Sequence, residues 1–310
     1  EAQSYVAYLE SIKNYEVDGK NIGRIFSTGS SFFIESEYIL TNHHVIDKGE
    51  EFYFYLNDNQ PPRKAKLVGY DKEMELALLR PEDPNFKPAA VAQLGDSDDL
   101  KEGEFVFTVH SPFNWGLNVS WGLVTKSNAR ITGAYQPRMI LSETVINPGS
   151  SGSPLAMLTN TLVNKQGQVV GVNFAVVGKF NQLAASIPIN DVKKLLPRLK
   201  AGGRVKHVAI GVATANSWEV PPSKYQELNL EMPKKQGVII GQIGPDSPAE
   251  KADLKLGDLI VAYNGQPIGK NQDFLMKLAL DTLPCDEIVL QILRGDQYLL
   301  KKVVPEEITD

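Results

Sequence analysis

The sequence contains a single cysteine, Cys285, and no long run of apolar residues. One cysteine excludes an internal disulfide bond and any metal site built from several thiolates. The longest apolar run, residues 169–177, is far shorter than the ~20 residues that a membrane-spanning helix needs. We therefore predict a chain without a membrane span and without a metal centre.

The sequence also lacks a strong charge of either sign. Its 32 Lys and Arg residues stand against 37 Asp and Glu residues, which gives a net charge of −5 at pH 7. Nucleic-acid binding requires clustered cations, and no Lys/Arg-rich block occurs, so we expect no nucleic-acid partner. A Gly-Lys-Ser/Thr phosphate loop is missing as well, and we predict no cofactor. No signal-peptide pattern is recognisable, and Glu1 in place of an initiator Met is interpreted as a processed or trimmed start.

The first two thirds of the chain consist of short apolar segments separated by turn-forming residues. Such a series favours an antiparallel barrel or sandwich. The predicted strands cover residues 31–34, 38–41, 51–56, 64–70, 75–80, 104–110, 119–126, 139–143 and 169–177. Ahead of them, Tyr5, Tyr8, Leu9 and Ile12 have helical spacing, which predicts a short amphipathic helix over residues 1–14.

The pattern changes after residue 188. A helix is predicted over residues 188–199, capped near Asn190 or Asp191, and the glycines of residues 201–204 indicate a hinge. Two further helices, at 247–252 and 270–281, lie among five predicted strands at 208–213, 237–243, 258–263, 287–294 and 297–304. We therefore divide the chain into a mainly β domain at 1–200, a linker at 201–207 and a smaller α+β domain at 208–306.

Three segments carry residues suited to acyl transfer. Thr41-Asn-His-His-Val-Ile46 ends a strand with two imidazoles, Glu75 precedes the apolar Leu76-Ala-Leu-Leu79, and Asn147-Pro-Gly-Ser-Ser-Gly-Ser-Pro-Leu155 places serines in a tight Gly/Pro loop. Each has an ordinary explanation as a packed histidine, a solvated strand end or a turn. Together they give the order histidine, acid, serine that a nucleophile, a base and an orienting carboxylate require.

These segments resemble, in family order, those of the chymotrypsin-fold proteases of the HtrA/Deg family. The other matching segments are Thr28-Gly-Ser-Ser-Phe-Phe-Ile34, Gly69-Tyr-Asp-Lys-Glu-Met-Glu-Leu-Ala-Leu-Leu79, Leu94-Gly-Asp-Ser97, Ser111-Pro-Phe113, Ser120-Trp-Gly-Leu-Val124 and Ser186-Ile-Pro188. The resemblance implies a chymotrypsin-like double β-barrel, with His44 as base and Ser151 as nucleophile. It also implies an oxyanion hole formed by the N–H groups of Gly149 and Ser151 together with that of Ser150.

Two residues depart from the family pattern. Glu75 stands where the family has an aspartate, and Ser153 stands where it has a glycine. Because a glutamate keeps the charge and the acceptor, we expect activity, reduced if the extra methylene misplaces the imidazole. Asp71 is a weaker candidate for the acid. The alternative is a pseudoprotease that binds peptides or acts like a chaperone without turnover.

The resemblance also assigns a specificity pocket to Val145, Ile146, Phe174 and Ala184. None of them is acidic, so we predict a small or medium aliphatic residue before the cleaved bond. Residues 207–305 resemble a PDZ domain of the HtrA type, with the strongest match over residues 237–265. Its carboxylate-binding loop would be Ala209, Ile210, Gly211 and Val212, where a peptide C-terminus adds a strand. Leu275 and Leu278, on the predicted helix, are groove contacts or core residues.

The predicted activity is that of an ATP-independent serine endopeptidase that cleaves unfolded or damaged proteins and binds peptide C-termini through its PDZ domain. The family resemblance further implies a homotrimer assembled through the N-terminal region. It also implies an extracytoplasmic location, in the bacterial periplasm.

Overall fold

The structure is a computed structural model and describes residues 2–17, 20–56, 60–112, 116–130, 138–157, 167–177 and 183–308. The chain divides into two compact units, Glu1–Val205 and Lys206–Asp310.

Six strands of the first unit close into a barrel in the order β5-β4-β1-β2-β3-β6, and pairing of β5 with β6 completes it. A 3₁₀ turn, Ala2–Ser4, precedes β1, and the four-residue helix α1, His43–Ile46, follows β3. The strands are β1 (Val6–Val17), β2 (Lys20–Glu35), β3 (Tyr38–Thr41), β4 (Glu51–Tyr55), β5 (Arg63–Asp71) and β6 (Leu76–Pro81).

The amphipathic helix predicted at the N-terminus is wrong. Residues Val6–Val17 form β1, which pairs antiparallel with both β2 and β4. Val6, Ala7 and Leu9 are fully buried, so both faces of the strand lie inside the protein. A strand buried on both faces has apolar residues at consecutive positions rather than in strict alternation, and such a run also fits helical spacing.

A second six-stranded barrel follows, closed in the order β10-β11-β12-β9-β8-β7. Its strands are β7 (Phe105–His110), β8 (Asn118–Ala129), β9 (Met139–Ser142), β10 (Pro154–Met157), β11 (Gln168–Val177) and β12 (Leu183–Pro188). Among the described residues, one cluster of its core consists of Leu100, Val106, Val124, Ile140, Leu155 and Val170. The predicted double barrel is thereby confirmed.

The first unit ends in a helix and a short strand. Helix α2, Ile189–Lys200, begins after Pro188, and Ser97 Oγ accepts the Asn190 N–H at 3.1 Å, so the first turn is capped from elsewhere in the chain. Asp191 is fully buried and pairs with Arg138 at 2.7 Å instead of capping the helix. Strand β13, Gly203–Arg204, pairs in parallel with β5, which attaches this part of the predicted linker to the first barrel.

The second unit is a six-stranded antiparallel sheet with helices, as predicted for an α+β domain. Its sheet has the order β15-β16-β17-β19-β20, with β18 beside β17, and β14 pairs separately with β21. The elements are β14 (Val208–Ala209), β15 (Val212–Asn216), α3 (Pro222–Glu227), β16 (Val238–Ile243), α4 (Pro248–Lys251), β17 (Leu259–Tyr263), β18 (Gln266–Pro267), α5 (Asn271–Asp281), β19 (Ile288–Arg294), β20 (Gln297–Val303) and β21 (Glu306–Glu307). Leu278 of α5 is buried in the core, whereas Leu275 is partly buried against it.

Candidate active site

The loop between β9 and β10 carries the predicted nucleophile, Ser151. It begins with a tight turn in which the Ser150 N–H donates to the Asn147 carbonyl at 2.8 Å. Pro148 and Gly149 are the two central residues, and Gly149 has a φ of +95°. A type II turn favours proline at its second position and needs a positive φ at its third, which glycine adopts without strain. The sequence Asn-Pro-Gly-Ser therefore determines the start of this loop.

Ser30, on β2, holds the loop against the first barrel. Its N–H donates to the Ser151 carbonyl at 2.8 Å, and its hydroxyl donates to the Gly149 carbonyl at 2.8 Å. Both carbonyls are thus occupied, whereas no described group accepts a hydrogen bond from the N–H of Gly149 or Ser151. Such N–H pairs can stabilise a developing oxyanion. The Ser150 N–H is used in the turn, so two of the three predicted donors are available.

The predicted base and acid are in contact. His44 lies on α1, and Glu75 lies in the turn just before β6. Glu75 Oε2 is 3.0 Å from His44 Nδ1, and the same oxygen accepts the His44 backbone N–H at 3.0 Å. A carboxylate at Nδ1 stabilises the tautomer with its proton on that nitrogen and leaves Nε2 able to accept a proton.

The turn before β6 brings the longer acid within reach of the imidazole. Glu75 has a φ of +56°, a left-handed conformation that costs a residue with a side chain about 1–2 kcal/mol. Asn42 Nδ2 donates to the Glu75 carbonyl at 2.9 Å, and Asp71 Oδ1 accepts the Met74 N–H at 2.9 Å. Asp71, the weaker candidate for the acid, is fully buried and stabilises the turn that carries Glu75.

The two adjacent histidines have different environments. His43 is buried and stacks on Tyr70 with a centroid distance of 5.1 Å, and burial lowers its pKa. The His44 side chain is 42% exposed, so a substrate can reach it. Burial raises the pKa of the Glu75 carboxyl, but the hydrogen bonds from His44 outweigh burial, so the net pKa lies below its ordinary value. Glu75 is therefore an anion at neutral pH.

The Ser151 hydroxyl points to a backbone carbonyl in this state. Within the described part of the chain, Ser151 Oγ donates to the Phe174 carbonyl at 3.4 Å and makes no hydrogen bond to His44. The Phe174 ring packs edge-on against the His44 ring at 6.0 Å, so all three residues border the same space. Catalytic hydrogen bonds are often long before substrate binds, and a rotation about χ1 of Ser151 would redirect its hydroxyl.

Ser153 belongs to a buried polar cluster in the second barrel. Its Oγ lies 3.1 Å from Thr108 Oγ1 and accepts from Asn173 Nδ2 at 2.9 Å. Ser186 Oγ donates to Asn173 Oδ1 at 2.8 Å, and all four side chains are fully buried. The serine that departs from the family pattern thus has hydrogen-bond partners on β7 and β11, and it makes no described hydrogen bond to His44, Glu75 or Ser151.

Comparison with known proteins places this geometry in a family. A model of the trypsin-like peptidase domain matches residues 29–172, and a model of the PDZ domain matches residues 208–303. A probable periplasmic serine endoprotease, DegP-like, from Hahella chejuensis is 34% identical over 276 residues, which are 87% of this chain and 55% of the relative. A protein of the same name from Ectopseudomonas mendocina is 33% identical over 289 residues, 91% of this chain and 57% of the relative. The chain belongs to the HtrA/Deg family.

The chain spans about half the length of the curated HtrA/Deg relatives that it matches. Among solved structures, the HtrA-type protease AlgW with decapeptide superposes with a TM-score of 0.79 at 23% identity and covers 99% of this chain and 97% of that chain. The serine endoprotease from Yersinia pestis superposes with a TM-score of 0.68, also at 23% identity, and covers 99% of this chain and 95% of that chain. These likenesses show the fold.

The residues assigned to the HtrA/Deg specificity pocket are spread over several environments. The Val145 side chain is 61% exposed, and its carbonyl accepts the Ser120 hydroxyl at 2.7 Å. Ile146 and Ala184 are buried, whereas Phe174 is partly buried and adjoins Ser151 and His44. Phe174 is thus the pocket candidate that the structure brings to the reacting groups.

The predicted carboxylate-binding loop connects β14 to β15. Ala209 ends β14, Val212 begins β15, and Gly211 between them has a φ of +75°. The carbonyls of Ile210 and Gly211 accept the N–H groups of Ala249 and Gly244, at 2.9 and 2.8 Å. No described group accepts from the Ile210 or Gly211 N–H. Strand β15 lies at one end of its sheet, so its outer edge can receive another strand.

The structure also shows two residues near the nucleophile that sequence reasoning did not find, Ser30 and His110. Ser30 lies within a quoted family segment, but its bonds to the Ser151 loop appear only after the two barrels pack together. His110 ends β7, is buried, and hydrogen-bonds through Nδ1 to Ser150 Oγ. The only signal in the sequence is an imidazole immediately before Ser111-Pro112.

Proposed function

We propose that the chain is an ATP-independent serine endopeptidase that uses a Ser151-His44-Glu75 triad. The observation that supports this most directly is the Glu75 carboxylate at 3.0 Å from His44 Nδ1. The N–H groups of Gly149 and Ser151 have no acceptor among the described residues. Together, these groups supply the orienting acid, the base and the oxyanion donors that acyl transfer requires.

In this mechanism His44 Nε2 takes the proton of Ser151 Oγ as that oxygen attacks the scissile carbonyl. Glu75 keeps the second ring proton on Nδ1 and stabilises the imidazolium that forms. The tetrahedral oxyanion is stabilised by the N–H groups of Gly149 and Ser151, each worth ~10²–10³ in rate at comparable sites. The imidazolium then protonates the leaving amine, and water, activated by the same base, hydrolyses the acyl-enzyme.

The proposal is tested by active-site labelling with a fluorophosphonate together with casein cleavage. We expect the purified chain to incorporate the label and to cleave casein, and Ser151→Ala to abolish both. Ser223→Ala, which removes an exposed serine of α3 in the second unit, is the matched control and should label like the unaltered chain. Absence of label from the unaltered chain would exclude the endopeptidase.

The alternative, a pseudoprotease that binds unfolded protein without turnover, has one observation in its favour. Ser151 Oγ donates to the Phe174 carbonyl rather than to His44. Clean binding of unfolded casein with neither labelling nor cleavage would favour this alternative.

For the second unit we propose binding of peptide C-termini by strand addition to β15. The N–H groups of Ile210 and Gly211, which have no acceptor in the described part of the chain, lie where a terminal carboxylate would be received, and the carbonyls of both residues already accept hydrogen bonds. A fluorescent peptide with a free carboxylate should bind more tightly than its C-terminally amidated form. Gly211→Ala should abolish the difference, because the new Cβ would lie 2.3 Å from Ser247 Cβ. Gly295→Ala, also at positive φ but with open space around it, is the control.

The family relationship supports three further proposals. The substrates are unfolded or damaged proteins, cleaved after a small or medium aliphatic residue held beside Phe174. The assembly is a homotrimer, for which light scattering should return three times the chain mass. The location is extracytoplasmic, in a bacterial periplasm, since the relatives are named periplasmic. Among the described residues, no helix combines the length and hydropathy of a bilayer-spanning segment.

A further inference from the structure

The side chain of His110 contacts the loop that carries Gly149, Ser150 and Ser151. His110 is the last residue of β7, is 3% exposed, and hydrogen-bonds through Nδ1 to Ser150 Oγ. Ser150 is also buried, and its Oγ accepts the Asn147 N–H at 2.9 Å. The imidazole therefore continues a hydrogen-bond chain that begins in the turn preceding the nucleophile.

The direction of this chain follows from counting hydrogens. A serine hydroxyl has one hydrogen to donate, and the Ser150 oxygen already accepts from Asn147. Within the described part of the chain, His110 Nδ1 is the one acceptor for that hydrogen. If Nδ1 carried a proton, the Ser150 hydroxyl would be a buried donor without a partner, which costs about 1–3 kcal/mol. The arrangement therefore favours a neutral imidazole with its hydrogen on Nε2.

We propose that His110 is a positioning residue for the oxyanion hole, acting through the Ser150 hydroxyl on the turn that presents the Gly149 N–H. This inference rests on the proposed protease function. Two hydrogen bonds connect Asn147 and Ser150. The Ser150 N–H donates to the Asn147 carbonyl, and the Asn147 N–H donates to the Ser150 hydroxyl oxygen. Without the acceptor at residue 110, the Ser150 hydroxyl is a buried donor with no described partner, which destabilises this side-chain position. Gly149, which lies between Asn147 and Ser150, then loses its fixed orientation.

The kinetic consequence is specific. The oxyanion forms only in the transition state, so a loosened Gly149 N–H lowers kcat and leaves KM largely unchanged. Loss of one oxyanion donor costs roughly 10²–10³ in rate, and a donor that is misoriented rather than absent loses part of this. We therefore expect a decrease in kcat of roughly 10- to 100-fold when the acceptor is removed.

The test compares two substitutions of the same residue. His110→Leu removes the acceptor, whereas His110→Asn places an amide oxygen near the position of Nδ1. We expect His110→Leu to lower kcat for a fluorogenic peptide and the rate of fluorophosphonate labelling together, and His110→Asn to restore most of both. Val109→Ala removes buried apolar atoms from the same strand but no hydrogen-bonding group, so it should change thermal stability more than kcat. Equal rates for His110→Leu and His110→Asn would overturn the proposal.

A double-mutant cycle tests the route through Ser150. If His110 acts through that hydroxyl, Ser150→Ala combined with His110→Leu should lose little more than either variant alone. Additive losses would show that His110 acts by another path and would refute the stated role.

A spectroscopic readout separates failure of this inference from failure of the proposed function. In the inactive Ser151→Ala protein with ¹⁵N-labelled histidine, long-range ¹H–¹⁵N correlation should show His110 as the Nε2–H tautomer, assigned by comparison with His110→Asn. A proton on Nδ1 at neutral pH would overturn the inference. If the unaltered chain fails to label at all, the proposed function fails. The tautomer of His110 would still show whether the Ser150 hydroxyl donates to Nδ1.

Discussion

At the scale of single residues, the feature with the largest chemical consequence is the glutamate of the proposed triad. Glu75 reaches the imidazole because it lies in a turn where its own backbone is left-handed, and hydrogen bonds of Asn42 and Asp71 hold that turn. A carboxylate with one more methylene needs a different backbone position from an aspartate, and this turn provides it. We therefore interpret the residue and the turn as matched to each other.

This interpretation predicts that aspartate is not an improvement. Glu75→Asp should lower kcat/KM by about 10²-fold, because the shortened carboxylate is displaced by ~1 Å from Nδ1. Glu75→Gln should cost about 10⁴-fold, since the wrong tautomer and the lost charge combine. Steady-state kinetics on a fluorogenic peptide would measure both. An aspartate variant faster than the unaltered chain would contradict the matched geometry.

The buried histidines predict a pH effect on stability. Burial lowers the pKa of His43 and of His110, so protonation is easier in the unfolded chain than in the native one. As the pH falls below about 6.5, the ordinary histidine pKa, the unfolded state binds more protons and stability decreases, by up to about 1.4 kcal/mol per pH unit for each proton. Urea midpoints measured from pH 7.5 to 5 should therefore fall, and less steeply for His110→Asn. Equal slopes in both proteins would argue against buried neutral His110.

At this scale the sequence motif named His44, Glu75 and Ser151, and the structure places the first two in contact. His110 and the role of Ser30 were not predictable, because their bonds join residues 40 and about 120 positions apart in sequence. Such contacts depend on how the two barrels close, which local spacing does not encode. The left-handed φ of Glu75 was not predictable from the sequence either, because glutamate has no preference for that conformation.

At the scale of elements, both candidate binding loops are built alike. In each loop, two carbonyls accept hydrogen bonds from other parts of the chain, and the N–H groups of the same two residues have no described acceptor; these residues are Gly149 and Ser151 in one loop and Ile210 and Gly211 in the other. Each loop contains a glycine at positive φ, which lets successive N–H groups face the same side. Both loops are therefore suited to a negative charge, transient in one and permanent in the other.

The glycine after the nucleophile should be intolerant of any side chain. A Cβ at Gly152 would lie 2.2 Å from the Ser30 carbonyl oxygen and 2.3 Å from Thr41 Oγ1, and its φ is +84°. Gly103 has a similar φ of +88° but open space around it. Gly152→Ala should therefore abolish fluorophosphonate labelling, whereas Gly103→Ala should cost only the conformational strain of about 1–2 kcal/mol. Similar behaviour of the two variants would contradict the close approach of the two barrels at Gly152.

Element prediction succeeded where the pattern was unambiguous and failed where it was not. Ser247-Pro248 predicted the start of α4, and Ser247 Oγ accepts the Glu250 N–H at 3.2 Å. Strand β1 also fits helical spacing because its buried residues are consecutive, and the single strand predicted over 208–213 is interrupted at Gly211. The close approach of Gly211 to Ser247 joins residues far apart in the sequence, so the local pattern does not predict the interruption at Gly211.

At the scale of the whole molecule, each compact unit has its own buried core. The second unit contains a cluster of fourteen buried residues centred on β16, β17, β19 and α5, all within Lys206–Asp310. We therefore expect residues 1–205 and 206–310 to fold as separate polypeptides. The first should retain fluorophosphonate labelling, and the second should bind a peptide with a free C-terminus.

Circular dichroism and thermal unfolding of both fragments would measure this independence. A first fragment that folds but does not label would show that the catalytic loop requires the second unit. Failure of the second fragment to unfold cooperatively would contradict a self-sufficient core.

The bonds from Ser30 to the nucleophile loop have a consequence for biosynthesis. Ser30 is made early, on a strand of the first barrel, whereas Gly149 and Ser151 emerge more than a hundred residues later on the second. A nascent chain with only one barrel complete lacks the hydrogen bonds from Ser30 to this loop. The N–H groups of Gly149 and Ser151, which would stabilise the oxyanion, are therefore not yet held in position. Under the proposed function, the chain becomes able to hydrolyse peptides only after the two barrels have docked, so an incomplete chain would not cleave itself or its neighbours.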